Sequence, residues 1–297
     1  MRGSKAGRSL FIASFLAPSV LLYGLFVVWP FLQTFYLSVF RFRGVSSKKT
    51  YVGTQYFEAL TKDDVFLQCL KNVGFLLVVG GGVVLIVSIA LAHALQSKGP
   101  MAKFLRSVYL FPQVISVVAV AVLWRFIYQP QGGLLNGILK PLGIMPPENG
   151  WLGSTTSALP SVTVAWIWLS LGFYTMLFAA GLKGIPEEVN EAAALEGVTG
   201  WRKFWAITWP LLWSIKRVAV VYIVINVMNV FGLVYVMTQG QPARKTETLL
   251  TYLYEQSILN SKFGYAAALA TFNFVVILVI TLVVMLMFRR DPQAARS

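Results

Sequence analysis

Four glutamates crowd one short stretch of an otherwise apolar chain. Glu187, Glu188, Glu191 and Glu196 fall within residues 184–211, GIPEEVNEAAALEGVTGWRKFWAITWPL, between two long uncharged runs. Carboxylates spaced this way could share one helix, with Ala192, Ala193 and Ala194 as a face of small side chains beside them. That suits docking better than catalysis. The only histidine is His93, so no multi-histidine metal site and no paired-histidine acid–base site can be built. Cys69 is the only cysteine, so no internal disulfide forms. The dipeptide Gly-Lys is absent, which excludes a phosphate-cradling P-loop and an ATPase of the chain's own. The sequence therefore predicts no catalytic residue and no metal ligand.

A second group of residues could hold a small solute. Asn226 and Asn229 lie one helical turn apart and share a face. Asn273, Gln113, Trp166, Trp168 and Tyr174 also sit in apolar runs. Side-chain amides hydrogen-bond hydroxyls, and aromatic rings stack on the apolar face of a sugar. The same residues also suit interhelical hydrogen bonding and ordinary packing.

The elements that must carry these residues are apolar helices. The chain has 297 residues, 57% hydrophobic and 12% charged, about half the charge of an average soluble domain. Residues 9–40, 72–97, 107–124, 149–182, 218–243 and 263–288 hold no Asp, Glu, Lys or Arg. Since about 20 apolar residues cross a bilayer core, the runs predict an all-α polytopic membrane protein. Six spans are expected, at 9–40, 72–96, 105–128, 158–182, 215–238 and 264–288, in one domain covering 1–297. Pro18 and Pro30 should kink or split the first span. Gly80, Gly81 and Gly82 should let helices approach closely in the second. Loop 129–158, rich in Gly and Pro, should stay outside the membrane as irregular chain, and 246–258 has helical periodicity. No Asp or Glu lies within a span, which argues against a proton relay.

The net charge of +14 does not point to nucleic acid. The basic residues flank apolar runs, as lipid-headgroup anchors do. Their weak bias places both termini, and 184–211 with them, on the cytoplasmic side. The basic start MRGSKAGRSL precedes a run too long for a signal peptide, so an uncleaved first span is expected.

Within 184–211, Pro186 stands at a helix start with Glu187 and Glu188 in its first turn, which suits the positive end of the helix dipole. Gly197 supplies a C-terminal cap, and Gly200 a second break. Trp201 to Trp209 then reads as an amphipathic helix, with Arg202 and Lys203 toward water and Phe204, Trp205 and Trp209 toward lipid. A connector lying on the lipid surface is the competing reading.

The pattern Glu-Ala-Ala, three residues, Gly, nine residues, Ile-x-x-Pro occurs at Glu191, Ala192, Ala193, Gly197, Ile207 and Pro210. It resembles the cytoplasmic motif of binding-protein-dependent ABC importer permeases, with Trp209 in place of the usual Leu. LAPSVLLYGLFVVWPFLQTFYLSVF, YVGTQYFEAL and FPQVISVVAVAVLWRFIYQPQGGLLN extend the likeness to the sugar-type members. Gly240-Gln241-Pro242 departs where Gly-Gly-Pro is common. The resemblance implies a helix at Glu191 that couples to an ATPase, with Gly197 as its turn. It also implies two ATP-binding subunits holding ATP and Mg, with no cofactor on this chain, a second permease subunit and an extracytoplasmic solute-binding protein, in a prokaryotic cytoplasmic membrane. A six-span secondary carrier without an ATPase is the alternative.

Overall fold

The structure, a computed structural model, describes residues 5–44, 48–95, 99 and 111–289. Helix α1 runs through Lys5–Tyr23, a π-helical turn at Gly24–Val28 and Trp29–Ser38. Strands β1 (Phe40–Arg41) and β2 (Thr50–Tyr51) pair antiparallel. Then come α2 (Gln55–Thr61), α3 (Asp64–Ala94) and α4 (Val117–Ile127). Helix α5 (Leu134–Leu139) leads to the long α6 (Ala158–Lys183). After it stand α7 (Glu187–Leu195), α8 (Gly200–Leu211), α9 (Trp213–Met228) and α10 (Gly232–Thr238). The chain ends with α11 (Leu249–Tyr254) and α12 (Phe263–Met287).

Among the described residues, α1 from Phe11, α3, α6 and α12 are long and apolar enough to cross a membrane, and α8 with α9 makes a fifth if the bent pair counts as one. Helix α4 is shorter. Of the span expected at 105–128, residues 105–110 lie outside the described part. Its remainder is interrupted at Ile115–Ser116, where Ser116 Oγ accepts from the Val118 N–H and starts α4 afresh. The span expected at 215–238 is in two pieces, α9 and α10. Helix α3 starts eight residues before the expected 72, because Asp63 Oδ1 accepts from the N–H groups of Val65 (2.9 Å) and Phe66 (3.3 Å) and caps it. A charge-free run marks the apolar part of a helix and not its end.

Pro30 does not split α1. The Trp29 N–H reaches back to Gly24 O in a π turn just ahead of Pro30, and the helix continues past it to Ser38. The same device recurs at Pro210 in α8, where Trp209 N–H reaches Phe204 O across the turn Phe204–Thr208.

The chain divides into two units, Met1–Lys62 with Leu253–Phe274, and Asp63–Tyr252 with Val275–Ser297. In the first, Phe31 and Phe35 of α1 meet Phe274 edge-on at 5.1 and 5.6 Å. Gly264 lets α12 lie against the backbone of Phe40 in β1, and its N–H bonds the carbonyl of Phe42 just after that strand at 3.1 Å.

In the second unit, the glycines of α3 admit its neighbours. A Cβ on Gly81 would stand 2.8 Å from Ile223 of α9, and one on Gly80 3.1 Å from Thr163 of α6. Loop 129–157 is more ordered than its composition suggests. Asn136 donates to the carbonyls of Gln129 and Pro130 and accepts from the Trp151 indole at 2.8 Å. Residues 239–252 form a buried polar knot. Asn72 of α3 donates to Arg244 O (3.1 Å) and Glu247 O (2.8 Å), Thr248 donates to Val230 O (3.0 Å), and the Tyr252 hydroxyl donates to Asp63 (2.6 Å). Thr246, Glu247 and Thr248 are buried, so their polar groups need these partners. Helix α11 consequently begins at Leu249 rather than 246.

Candidate functional site

Trp166, Ser170, Phe173 and Tyr174 recur at helical spacing on one face of α6. They line a cavity of about 490 Å³, within the ~300–1,000 Å³ usual for small-molecule sites. Tyr222 and Asn226 of α9 face it, with Asn229, Val230 and Phe231 from the break between α9 and α10, and Gln113 completes it. Among the described residues, no lining side chain is charged.

The break shapes the rim. Helix α9 makes its last α-helical bond at Asn229 N–H to Ile225 O (3.2 Å), Phe231 adopts φ −134°, ψ −69°, and α10 restarts at Gly232. Two contacts hold it open. The Val230 carbonyl takes the Thr248 hydroxyl, and Gly232 lies so close to α4 that a Cβ would stand 3.3 Å from Val117. A freed backbone carbonyl needs such a partner when buried.

The amides are held in position. Asn226 donates to Tyr222 O (2.9 Å) and to the Tyr174 hydroxyl (3.4 Å), Asn229 to Ile225 O (2.8 Å), and Gln113 to Leu169 O (2.7 Å). Asn226 and Asn229 remain exposed. The rings divide differently from the expectation. Trp166 and Tyr174 are almost wholly buried, whereas Phe173 and Tyr222 present open faces, their centroids 5.5 Å apart. Those two rings are absent from the sequence reading, yet Phe173 adjoins Tyr174 and Tyr222 lies one turn before Asn226. Asn273 is buried on α12 and is not among the residues lining this cavity.

The acidic loop is built as a capped helix on an exposed stem. Pro186 occupies the N-cap of α7, with Glu187 and Glu188 in the first turn. At the other end Gly197 takes φ +71°, its N–H bonding Ala194 O (3.0 Å) and Val198 N–H bonding Ala193 O (2.8 Å). These two bonds are the Schellman pattern. Ala193 is buried; Glu191, Ala192 and Leu195 are exposed, Leu195 by 90%. Leu195 lies one turn from Glu191 and joins its face. Ile207 and Pro210 are half-buried on α8 and not on this face. Trp201, Phe204, Trp205 and Trp209 of α8 form, with Leu85–His93 of α3, an apolar groove of about 630 Å³. Of the basic residues expected to anchor in headgroups, Lys216 departs: it is buried, with its Nζ on the Trp209 carbonyl at 2.7 Å. The bend between α8 and α9 leaves that carbonyl without a helical partner.

Residues 82–291 match the family described as binding-protein-dependent transport system inner membrane component. The probable ABC transporter permease protein YurN of Bacillus subtilis is 36% identical over 279 residues, 92% of each chain. The diacetylchitobiose uptake system permease protein NgcF of Streptomyces coelicolor is 33% identical over 293 residues, covering 95% of this chain and 83% of its own. A chain in the crystal structure of a bacterial alginate ABC transporter, in complex with alginate pentasaccharide-bound periplasmic protein, superposes with a TM-score of 0.82. It covers 96% of both chains at 23% identity, a likeness of fold.

Proposed function

Since this chain belongs to the family of binding-protein-dependent transport system inner membrane components, we propose that it is the permease subunit of an ATP-driven importer for an uncharged sugar or polyol. The solute is delivered by an extracytoplasmic binding protein. The whole chain, 1–297, serves as one permease domain in a prokaryotic cytoplasmic membrane, with both termini and α7 in the cytoplasm. It works with a second permease subunit and two ATP-binding subunits that hold ATP and Mg; this chain binds no cofactor of its own. Glu191, Ala192 and Leu195 form the seat for the ATPase, Ala193 and Gly197 hold its shape, and Ile207 and Pro210 carry the stem. Asn226, Asn229, Trp166 and Tyr174 belong to the solute path, and Asn273 is assigned to it by its residue type alone.

The observation that carries this reading is a cavity lined, among the described residues, by exposed amides and open rings without one charged group. An anion there would lose its hydration with no cation to replace it, a cost of several kcal/mol. A neutral sugar offers hydroxyls to the amides and an apolar face to Phe173 and Tyr222. The named activity of the diacetylchitobiose relative supports the same class.

The test is recovery of the tagged chain from its native membrane. An ATP-binding subunit should come with it. Glu191→Lys, which reverses the charge on an exposed face, should release that subunit and abolish import while the chain stays in the membrane. Import that continues with no ATPase present would sink the proposal and favour a secondary carrier.

A further inference from the structure

The path from the proposed ATPase seat to the solute cavity runs through one bend. Helix α8 leaves the loop and turns by 72° into α9 at Leu212. Helix α9 then carries Tyr222 and Asn226 to the cavity, Asn226 lying about 15 Å along the axis from Lys216 at 1.5 Å per residue. A bend that flexed would dissipate any movement of the loop before it reached those residues.

Lys216 closes this bend. Its Nζ donates to the Trp209 carbonyl at 2.7 Å and sits 4.0 Å over the Trp209 ring and 5.4 Å from that of Trp213. The side chain therefore spans the corner, from the first turn of α9 to the last turn of α8. A cation is favoured at a helix C-terminus, where carbonyls lack partners, and again over an indole face. Both attractions gain from burial, and the residue is only 8% exposed. The partners of the Lys216 ammonium at this corner are thus a carbonyl and two indole faces.

The same corner is clamped from two other sides. Gly181, in the last turn of α6, lies so close that a Cβ would stand 2.7 Å from Ile215 and 3.0 Å from Leu212. That joins both stems of the loop at the bend. The Trp213 indole donates to Phe288 O at 3.1 Å, its ring centroid 4.3 Å from that of Phe288.

We propose that Lys216 is a positioning residue that makes α8 and α9 move as one body, so that displacement of the α7 loop is transmitted to Tyr222 and Asn226. It touches neither ATP nor solute. The inference rests on the reading of the chain as an ATPase-coupled permease.

The test uses the complete transporter, purified with its ATP-binding subunits and reconstituted in liposomes with its binding protein. The readout is solute imported per ATP hydrolysed. Lys216→Met keeps the apolar stem and removes the cation. It should leave subunit stoichiometry intact and ATP turnover within about twofold, while import per ATP falls at least about fivefold. Lys216→Arg should recover most of the ratio. Trp209→Leu, which removes the nearer ring but keeps the carbonyl, should lower the ratio by a smaller factor. An unchanged ratio in Lys216→Met overturns the proposal. So does loss of assembly in both Lys216→Met and Trp209→Leu, which would make the corner a folding element only. Wild-type chain that neither carries an ATPase nor imports would instead sink the permease reading itself.

Discussion

Replacing Gly197 by Ala isolates one link between the loop and its proposed partner. The residue sits at φ +71°, and no heavy atom of the described residues lies within 4 Å of where a Cβ would be placed. Crowding therefore adds nothing, and the cost is that of a left-handed backbone, about 1–2 kcal/mol. The Gly197 and Val198 N–H bonds to Ala194 and Ala193 oblige the backbone to take that conformation. If α7 must keep this cap to seat in the ATPase, the cost appears in binding. At 1.4 kcal/mol per tenfold, affinity should fall about five- to thirtyfold. Asn tolerates the left-handed region better than Ala, so Gly197→Asn should lose distinctly less. The assay is titration of purified ATP-binding subunit onto the chain in nanodiscs, followed by fluorescence anisotropy. Equal affinity for wild type and Gly197→Ala, or equal loss for Ala and Asn, would refute the role given to the cap.

Three further outcomes are expected. Gly81→Val should overpack the contact with Ile223 and destabilise the chain by about 1–3 kcal/mol, read as a lower melting temperature in detergent. Asn226→Ala should leave expression and ATP turnover intact but raise the solute concentration for half-maximal uptake about two- to tenfold, the worth of one hydrogen bond of about 0.5–1.5 kcal/mol. Leu195→Asp should change stability by less than about 0.5 kcal/mol, as exposed positions do, yet abolish co-elution with the ATP-binding subunit.

Long apolar helices were the most legible part of the sequence. Helix α6 spans Ala158–Lys183 against an expected 158–182, because Lys183 ends the apolar run where the helix also ends. The loop helix was legible for the same local reason: Pro186, two glutamates and Gly197 all act within one or two turns. The break at 229–231 was not. No proline marks it, and it depends on Thr248 and on the approach of Gly232 to Val117, contacts that no local window contains. Lys216 misled for a related reason. A lysine flanking an apolar run belongs at the headgroups unless a bend strands a carbonyl within its reach, and only the folded chain provides that carbonyl. In the cavity, the one-turn spacing of Asn226 and Asn229 is legible and both line it, but the sequence could not tell which rings of α6 are buried. Trp166 is spent against the Gly80 backbone, leaving Phe173 open.

The π turn ahead of Pro210 carries a geometric consequence. Such a turn holds one residue more than the α-helical path between the same ends. Everything upstream of Phe204, including Gly197 and the face of α7, is thus rotated by about 100° and displaced by about 1.5 Å relative to a chain lacking that residue. The azimuth that the acidic helix presents is written into a single extra amino acid in the stem. Removing one residue between Phe204 and Thr208 would act as a turn of the wrist rather than as a shortening of the arm.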